Sequence, residues 1–87
     1  MPTVRLPALF RERCGGATAV TVEGSTLGEV LLALDRRCPG IFELLVEGGS
    51  IRPELAVAID GETGSYLLDE PVPPGAEIAI LPAIAGG

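Results

Sequence analysis

The sequence contains neither histidine nor lysine, and each absence removes a class of chemistry. Without histidine, Cys14 and Cys38 have nothing to complete a zinc-ligand set or a Cys/His nucleophile, and they form no Cys-x-x-Cys unit. They are expected to be two ordinary thiols in a reducing compartment. Without lysine, Gly24 and Gly28 cannot belong to a phosphate loop, whose G-x-x-x-x-G-K-[ST] pattern is missing. All six basic residues are arginine, so the only amine open to acylation is the N-terminus. Positive charge is scarce as well. A net charge of -6 and a sequence pI near 4.4 oppose contact with a phosphate backbone, which needs clustered Lys and Arg to replace counterions. No apolar run approaches the roughly 20 residues that cross a bilayer, and Met1-Pro2-Thr3-Val4-Arg5 lacks the basic-then-apolar layout of a secretory signal. The expectation is a soluble cytoplasmic protein with neither nucleic acid nor membrane as a partner.

What the chain does have is apolar content. Hydrophobic residues make up 47% of its 87 positions, enough for one compact core, with no length left for a second domain or a deep cofactor pocket. An enzyme acting alone is therefore not expected. Thr3 to Leu6 alternates, Val4 and Leu6 on one face and Thr3 and Arg5 on the other, the period of a half-buried strand that Pro7 ends. After a loop containing Cys14-Gly15-Gly16, Ala19 to Glu23 alternates again, and the two segments suggest an antiparallel hairpin.

Thr26-Leu27-Gly28-Glu29 fits a capping box in which the Thr26 hydroxyl accepts from the first helical turn and Glu29 reaches back to the Thr26 amide. Leu27, Val30, Leu31 and Leu34 then form one apolar stripe, Arg36 and Arg37 sit near the negative end of the helix, and Pro39-Gly40 closes it. Ile41 to Val46 suits a short second helical turn with Ile41, Leu44 and Leu45 inward, before Gly48-Gly49-Ser50 returns the chain to loop. Leu55 to Asp60 reads as a strand with Val57 and Ile59 on one face and the small Ala56 and Ala58 on the other, stopped by Asp60-Gly61. Tyr66 to Leu68 reads as a short edge strand. Glu77 to Leu81, after the Pro73-Pro74-Gly75 turn, reads as a central strand whose ladder Pro82 terminates. The whole is an α+β domain with one helix across one face of a mixed sheet.

The remaining segment is Leu81-Pro82-Ala83-Ile84-Ala85-Gly86-Gly87, whose side chains dwindle to two glycines and a free carboxylate. Two terminal glycines arise by chance in about 2% of chains of this composition. Gly15-Gly16 and Gly48-Gly49, however, lie between elements, whereas Gly86-Gly87 follows the last core strand with nothing left to connect. A carboxylate is a poor acyl donor until activated, usually by adenylation, and glycine leaves a narrow activating channel unobstructed.

With this ending the sequence resembles the ubiquitin-like sulfur carriers of the MoaD/ThiS type, over essentially the whole chain. The resemblance rests on Val4-Arg5-Leu6-Pro7, on Ser25-Thr26-Leu27-Gly28-Glu29-Val30, on Pro74-Gly75 with its following strand, and on Ile80 to Gly87. It implies a β-grasp (ubiquitin-like) fold, with a domain over 1–81 and a flexible C-terminal tail over 82–87. It further implies that an E1-like enzyme, using its own ATP, adenylates Gly87, after which sulfur is installed as a thiocarboxylate. Gly86 would keep the tail slim, and Leu81, Pro82, Ala83, Ile84 and Ala85 would offer a small apolar strip to the partner. The chain itself would bind no cofactor or metal and hold no catalytic residue. Leu-Pro-Ala-Ile-Ala-Gly-Gly is most similar to carriers of the cysteine pathway, with a cysteine synthase-like acceptor. The molybdopterin type, with the synthase large subunit as acceptor, stands next.

Two other classes fit the same residues. A protein modifier would share the activation step and form isopeptide bonds through Gly87, and a plain interaction domain would dock through Glu62, Asp69 and Glu70. Asp60 with Glu62 and Asp69-Glu70 flank turns, where solvent argues against paired acid/base chemistry. No fixed cation that would activate the Cys14 thiol is identifiable, because Arg11 and Arg13 are near it only in sequence.

Overall fold

The computed structural model of the chain describes residues 1–83. Seven strands, β1 (Thr3–Arg5), β2 (Ala19–Thr21), β3 (Val46–Glu47), β4 (Ser50–Ile51), β5 (Leu55–Ile59), β6 (Glu62–Gly64) and β7 (Glu77–Pro82), combine with helices α1 (Ala8–Arg11), α2 (Leu27–Arg37) and α3 (Ile41–Leu45). Five strands form one sheet in the order β2-β1-β7-β5-β6. The hairpin of β1 and β2 is antiparallel, as expected, with Val4 opposite Val20. β7 is central: it runs parallel to β1, with Val4 opposite Ile78, and antiparallel to β5, with Val57 opposite Ile80. Leu27, Val30, Leu31 and Leu34 of α2 are fully buried in one cluster with Val4, Val20, Val57, Ile59, Ile78 and Ile80 of the sheet. The core is thus the space between one helix stripe and one sheet face, which is how two half-apolar elements hide from water.

At the start of α2, three of the N–H groups that a helix leaves without an intrahelical partner are satisfied from outside its backbone ladder. Leu27 N–H donates to the Glu70 carbonyl (2.9 Å), Gly28 N–H to the Leu68 carbonyl (2.7 Å) and Glu29 N–H to Thr26 Oγ1 (3.2 Å), and the first intrahelical bond runs from Val30 to the Thr26 carbonyl (3.0 Å). The Glu29 carboxylate does not return to the Thr26 amide. Its Oε1 accepts instead from the Ser25 amide and the Ser25 hydroxyl, both at 2.9 Å, while Thr26 takes part in an isolated bridge to Pro71. At the other end, Asp35 Oδ1 accepts from the Gly40 and Phe42 amides at 3.1 and 2.9 Å, fixing the turn into α3. Ile41 and Leu45 of that helix are buried and Leu44 packs at the core margin.

Four further features of the fold differ from the sequence reading. The edge strand is β6, not Tyr66 to Leu68. Asp60 and Gly61 both take positive φ (50° and 85°), making the two-residue turn whose twist matches a hairpin, so the paired strand must begin at Glu62. The 68–70 segment is thereby free to serve the α2 N-terminus. Gly48-Gly49, also with both φ positive, forms a second two-residue hairpin between β3 and β4 where only a loop was expected. The connection after Pro7 holds α1 and a 3-10 turn over Glu12–Cys14, too short to show a helical period. That turn lies against the C-cap of α2, so Cys14 and Cys38 are joined in a disulfide with Cα atoms 4.8 Å apart rather than standing as two thiols. Their 24-residue separation conceals a proximity that only packing creates.

Candidate functional site

The strip expected to meet a partner begins on β7, and the pleat of that strand decides what it displays. Ile78 and Ile80 point into the core, 0% and 3% exposed. The alternating residues Ala79 and Leu81 lie on the opposite face, Ala79 across from Ala58 and Leu81 across from Ala56. Ala58 is buried yet lies outside the contiguous core cluster, as a small side chain flush with the outer sheet surface would be. Leu81, 41% exposed, stands above these alanines. On the β1 side Arg5 is opposite Ala79 and pairs with Glu77 at 3.0 Å, an exposed ion pair that solvent screens. The result is a shallow apolar strip on the outer face, leading to the end of the central strand.

Pro82 continues the strand instead of ending it. In the antiparallel ladder with β5, hydrogen-bonded and non-hydrogen-bonded pairs alternate. Asp60 N–H donates to the Glu77 carbonyl (2.8 Å) and Ala83 N–H to the Glu54 carbonyl (2.8 Å), which places Pro82, opposite Leu55, at a non-hydrogen-bonded position. The amide that proline lacks is not needed there. Leu81, Pro82 and Ala83 are all exposed. Ile84, Ala85, Gly86 and Gly87, which complete the expected site, lie outside the described residues.

The outer-face alanines were not singled out as site residues from sequence, although the signal was present: small residues alternate with Val57 and Ile59. A strand facing only water has no need to keep such a face apolar. Of the acidic residues considered earlier, Asp60 uses its carboxylate structurally, Oδ1 accepting from the Glu77 amide at 2.9 Å, while Glu62 and Glu70 contribute backbone carbonyls that receive the Tyr66 hydroxyl (2.7 Å) and the Leu27 amide. Glu29 is held below the usual carboxylate range, chiefly by the Ser25 backbone amide and next by the Ser25 hydroxyl, against a smaller opposing effect of desolvation. It is part of a helix cap remote in sequence from the β7 end.

The model of the ThiS family matches residues 4–87. The chain belongs to the ThiS family. It is 31% identical over 90 residues to the sulfur carrier protein CysO of Mycobacterium tuberculosis, covering 98% of this chain and 97% of that protein. A chain in the crystal structure of the Amycolatopsis orientalis BexX/CysO complex superposes with a TM-score of 0.90 at 31% identity, with both chains fully covered. The small archaeal modifier protein 1 of Methanosarcina acetivorans gives a TM-score of 0.79 at 26% identity over 99% of this chain and 95% of that one. The fold is therefore the β-grasp fold of ThiS-family proteins, and the curated relative is named as a carrier, not as an enzyme.

Proposed function

We propose that this ThiS-family protein is a sulfur carrier whose working group is the carboxylate of Gly87. The observation that carries the reading is positional: the last strand is the central strand of the sheet, and its exposed end, Leu81-Pro82-Ala83, leads directly to Gly86-Gly87. A rigid strand fixes where the tail begins, while the glycines let its end enter a narrow site on another protein. An E1-like partner supplies ATP. The Gly87 carboxylate attacks the α-phosphorus and expels pyrophosphate, giving an acyl adenylate. Sulfide sulfur then displaces AMP at the acyl carbon and leaves a thiocarboxylate. Full-length similarity to proteins named CysO favours cysteine biosynthesis and a cysteine synthase-like acceptor, with molybdopterin biosynthesis next. On this reading the protein works in the cytoplasm, as a co-substrate of its partner enzymes.

The partner's groove takes the tail and the outer-face strip together. Ordering each tail residue costs roughly 1 to 2 kcal/mol, which apolar contacts by Leu81, Pro82, Ala83, Ile84 and Ala85 offset, so binding is modest, as a shuttle requires. The test is intact-protein mass spectrometry after incubation with ATP, a sulfide source and the host's E1-like enzyme. A gain of roughly 16 Da on the terminal fragment is expected, oxygen being replaced by sulfur. No gain, with the enzyme shown active on another carrier, would overturn the proposal. The similarity to an archaeal modifier protein favours isopeptide attachment through Gly87 as the second reading, and covalent adducts on target lysines without any thiocarboxylate would select it.

A further inference from the structure

The Cys14–Cys38 disulfide has no part in the carrier reading. Between β1 and β2 the chain makes an excursion through α1, the 3-10 turn and Gly15-Gly16. Among the described residues, the hydrogen bonds of this excursion close on itself. Phe10 N–H donates to the Pro7 carbonyl (3.0 Å), Arg11 Nε to Leu6 (3.1 Å), Gly16 to Arg11 (2.8 Å) and Ala17 to Cys14 (3.2 Å), and Leu6 N–H to Thr18 (2.9 Å) closes the neck. What ties it to the body of the domain is the packing of Phe10 in the core, with Cys14 and Ala17 at the core margin, and one covalent bond from Cys14 to Cys38.

The excursion is also one wall of a groove. Leu9, Phe10 and Arg13 face Leu44, Arg52 and Leu55 across it, and Leu9 is 76% exposed. Leu55 is opposite Pro82, and the neighbouring Glu54 receives the Ala83 amide. The groove therefore adjoins the place where β7 hands over to the tail.

We propose that Cys14 and Cys38 form a thiol–disulfide site that pins this wall, so that reduction frees residues 7–18 and weakens capture by the partner that handles the tail. The link to the tail rests on the carrier reading; the pin does not. The reductant is a dithiol. Its thiolate attacks Cys14 Sγ, the more accessible sulfur, since Cys38 is only 1% exposed. A new S–S bond to Cys14 forms, the Cys14–Cys38 bond breaks, and Cys38 leaves as a thiolate that takes a proton. The second thiol of the reductant then closes on its own partner sulfur and releases Cys14, which is protonated in turn. Two electrons pass from dithiol to protein. The capped start of α2 and its apolar stripe do not depend on the bond, so the domain stays folded.

Hydrogen exchange on the whole protein, oxidised against dithiol-treated, tests the pin. Exchange at the Phe10, Gly16 and Ala17 amides is expected to rise on the order of tenfold or more on reduction, while that of Leu31, Leu34, Ile78 and Ile80 stays unchanged. Cys14→Ala, which leaves Cys38 as a core thiol, is expected to match the reduced protein with or without dithiol and to raise the KM of the E1-like enzyme for the carrier about threefold or more. Equal protection in both redox states, loss of protection throughout the domain, or two alkylatable thiols persisting under an oxidised dithiol would each overturn the pin. A fast-exchanging variant with unchanged KM would overturn its link to the tail. Absence of a thiocarboxylate in every state would count against the carrier reading and leave the exchange result standing.

Discussion

At Glu29 one carboxylate oxygen receives two donors from Ser25, and its lowered pKa makes that contact a function of pH. The charged form is favoured in the folded protein relative to the ordinary value of 4.5. Its stabilisation is therefore fully present above that value and is lost as pH falls through the lower folded value. Denaturant titrations across the acid range are expected to show a shallower fall in stability for Glu29→Gln than for the unmodified protein. Identical slopes would mean that the contact carries no proton linkage. The neighbouring Gly24 is constrained differently. Its φ is +150°, and an added Cβ would lie 2.7 Å from the Val30 amide nitrogen and 2.8 Å from Val30 Cγ2. Since backbone of α2 cannot yield as a side-chain tip can, Gly24→Ala is expected to cost about 1 to 3 kcal/mol, read from the urea midpoint.

Among the elements, β7 carries the most and was the most legible. Its apolar, largely uncharged run marked it as central, and the structure shows that Ile78 and Ile80 are the residues it turns to the core. The displayed face was harder to assign, because Ala56, Ala58 and Ala79 are unremarkable one by one and become a strip only when β5 and β7 lie side by side in the observed register. Leu81 projects from that strip without entering the core. Leu81→Asp should accordingly leave stability within about 0.5 kcal/mol. It should weaken binding to the E1-like partner by about tenfold or more, as truncating an apolar anchor does. Calorimetry of unfolding and of binding separates the two effects, and undiminished affinity would remove the strip from the interface. The helix was equally legible through Thr26 and its stripe, but the carbonyl acceptors that finish its cap come from Leu68 and Glu70 across the fold, which no local motif predicts.

For the molecule as a whole, the first and last strands lie parallel and adjacent in the middle of the sheet, Thr3 opposite Glu77. Both strands are thus held by the sheet, and the last hydrogen bond along the described residues runs from the Ala83 amide to the Glu54 carbonyl. Removing Gly87, or appending residues after it, is expected to leave the thermal midpoint unchanged and to abolish adenylation, measured as ATP-dependent release of pyrophosphate. A truncated chain that still supports it would refute the assignment of Gly87.

The sequence by itself determined the class of fold, the core stripe of α2, the central last strand and the full-length likeness to a carrier family, because period, capping and turn chemistry are local and each is written in adjacent residues. Only the tertiary structure decided that β1 pairs with β7, that Asp60-Gly61 places the edge strand at Glu62–Gly64, that small alanines make one surface, and that Cys14 meets Cys38. Those are contacts between segments distant along the chain. Their partners are selected by burial of shared apolar surface and by backbone groups seeking donors and acceptors, and neither is expressed in the spacing of any one segment.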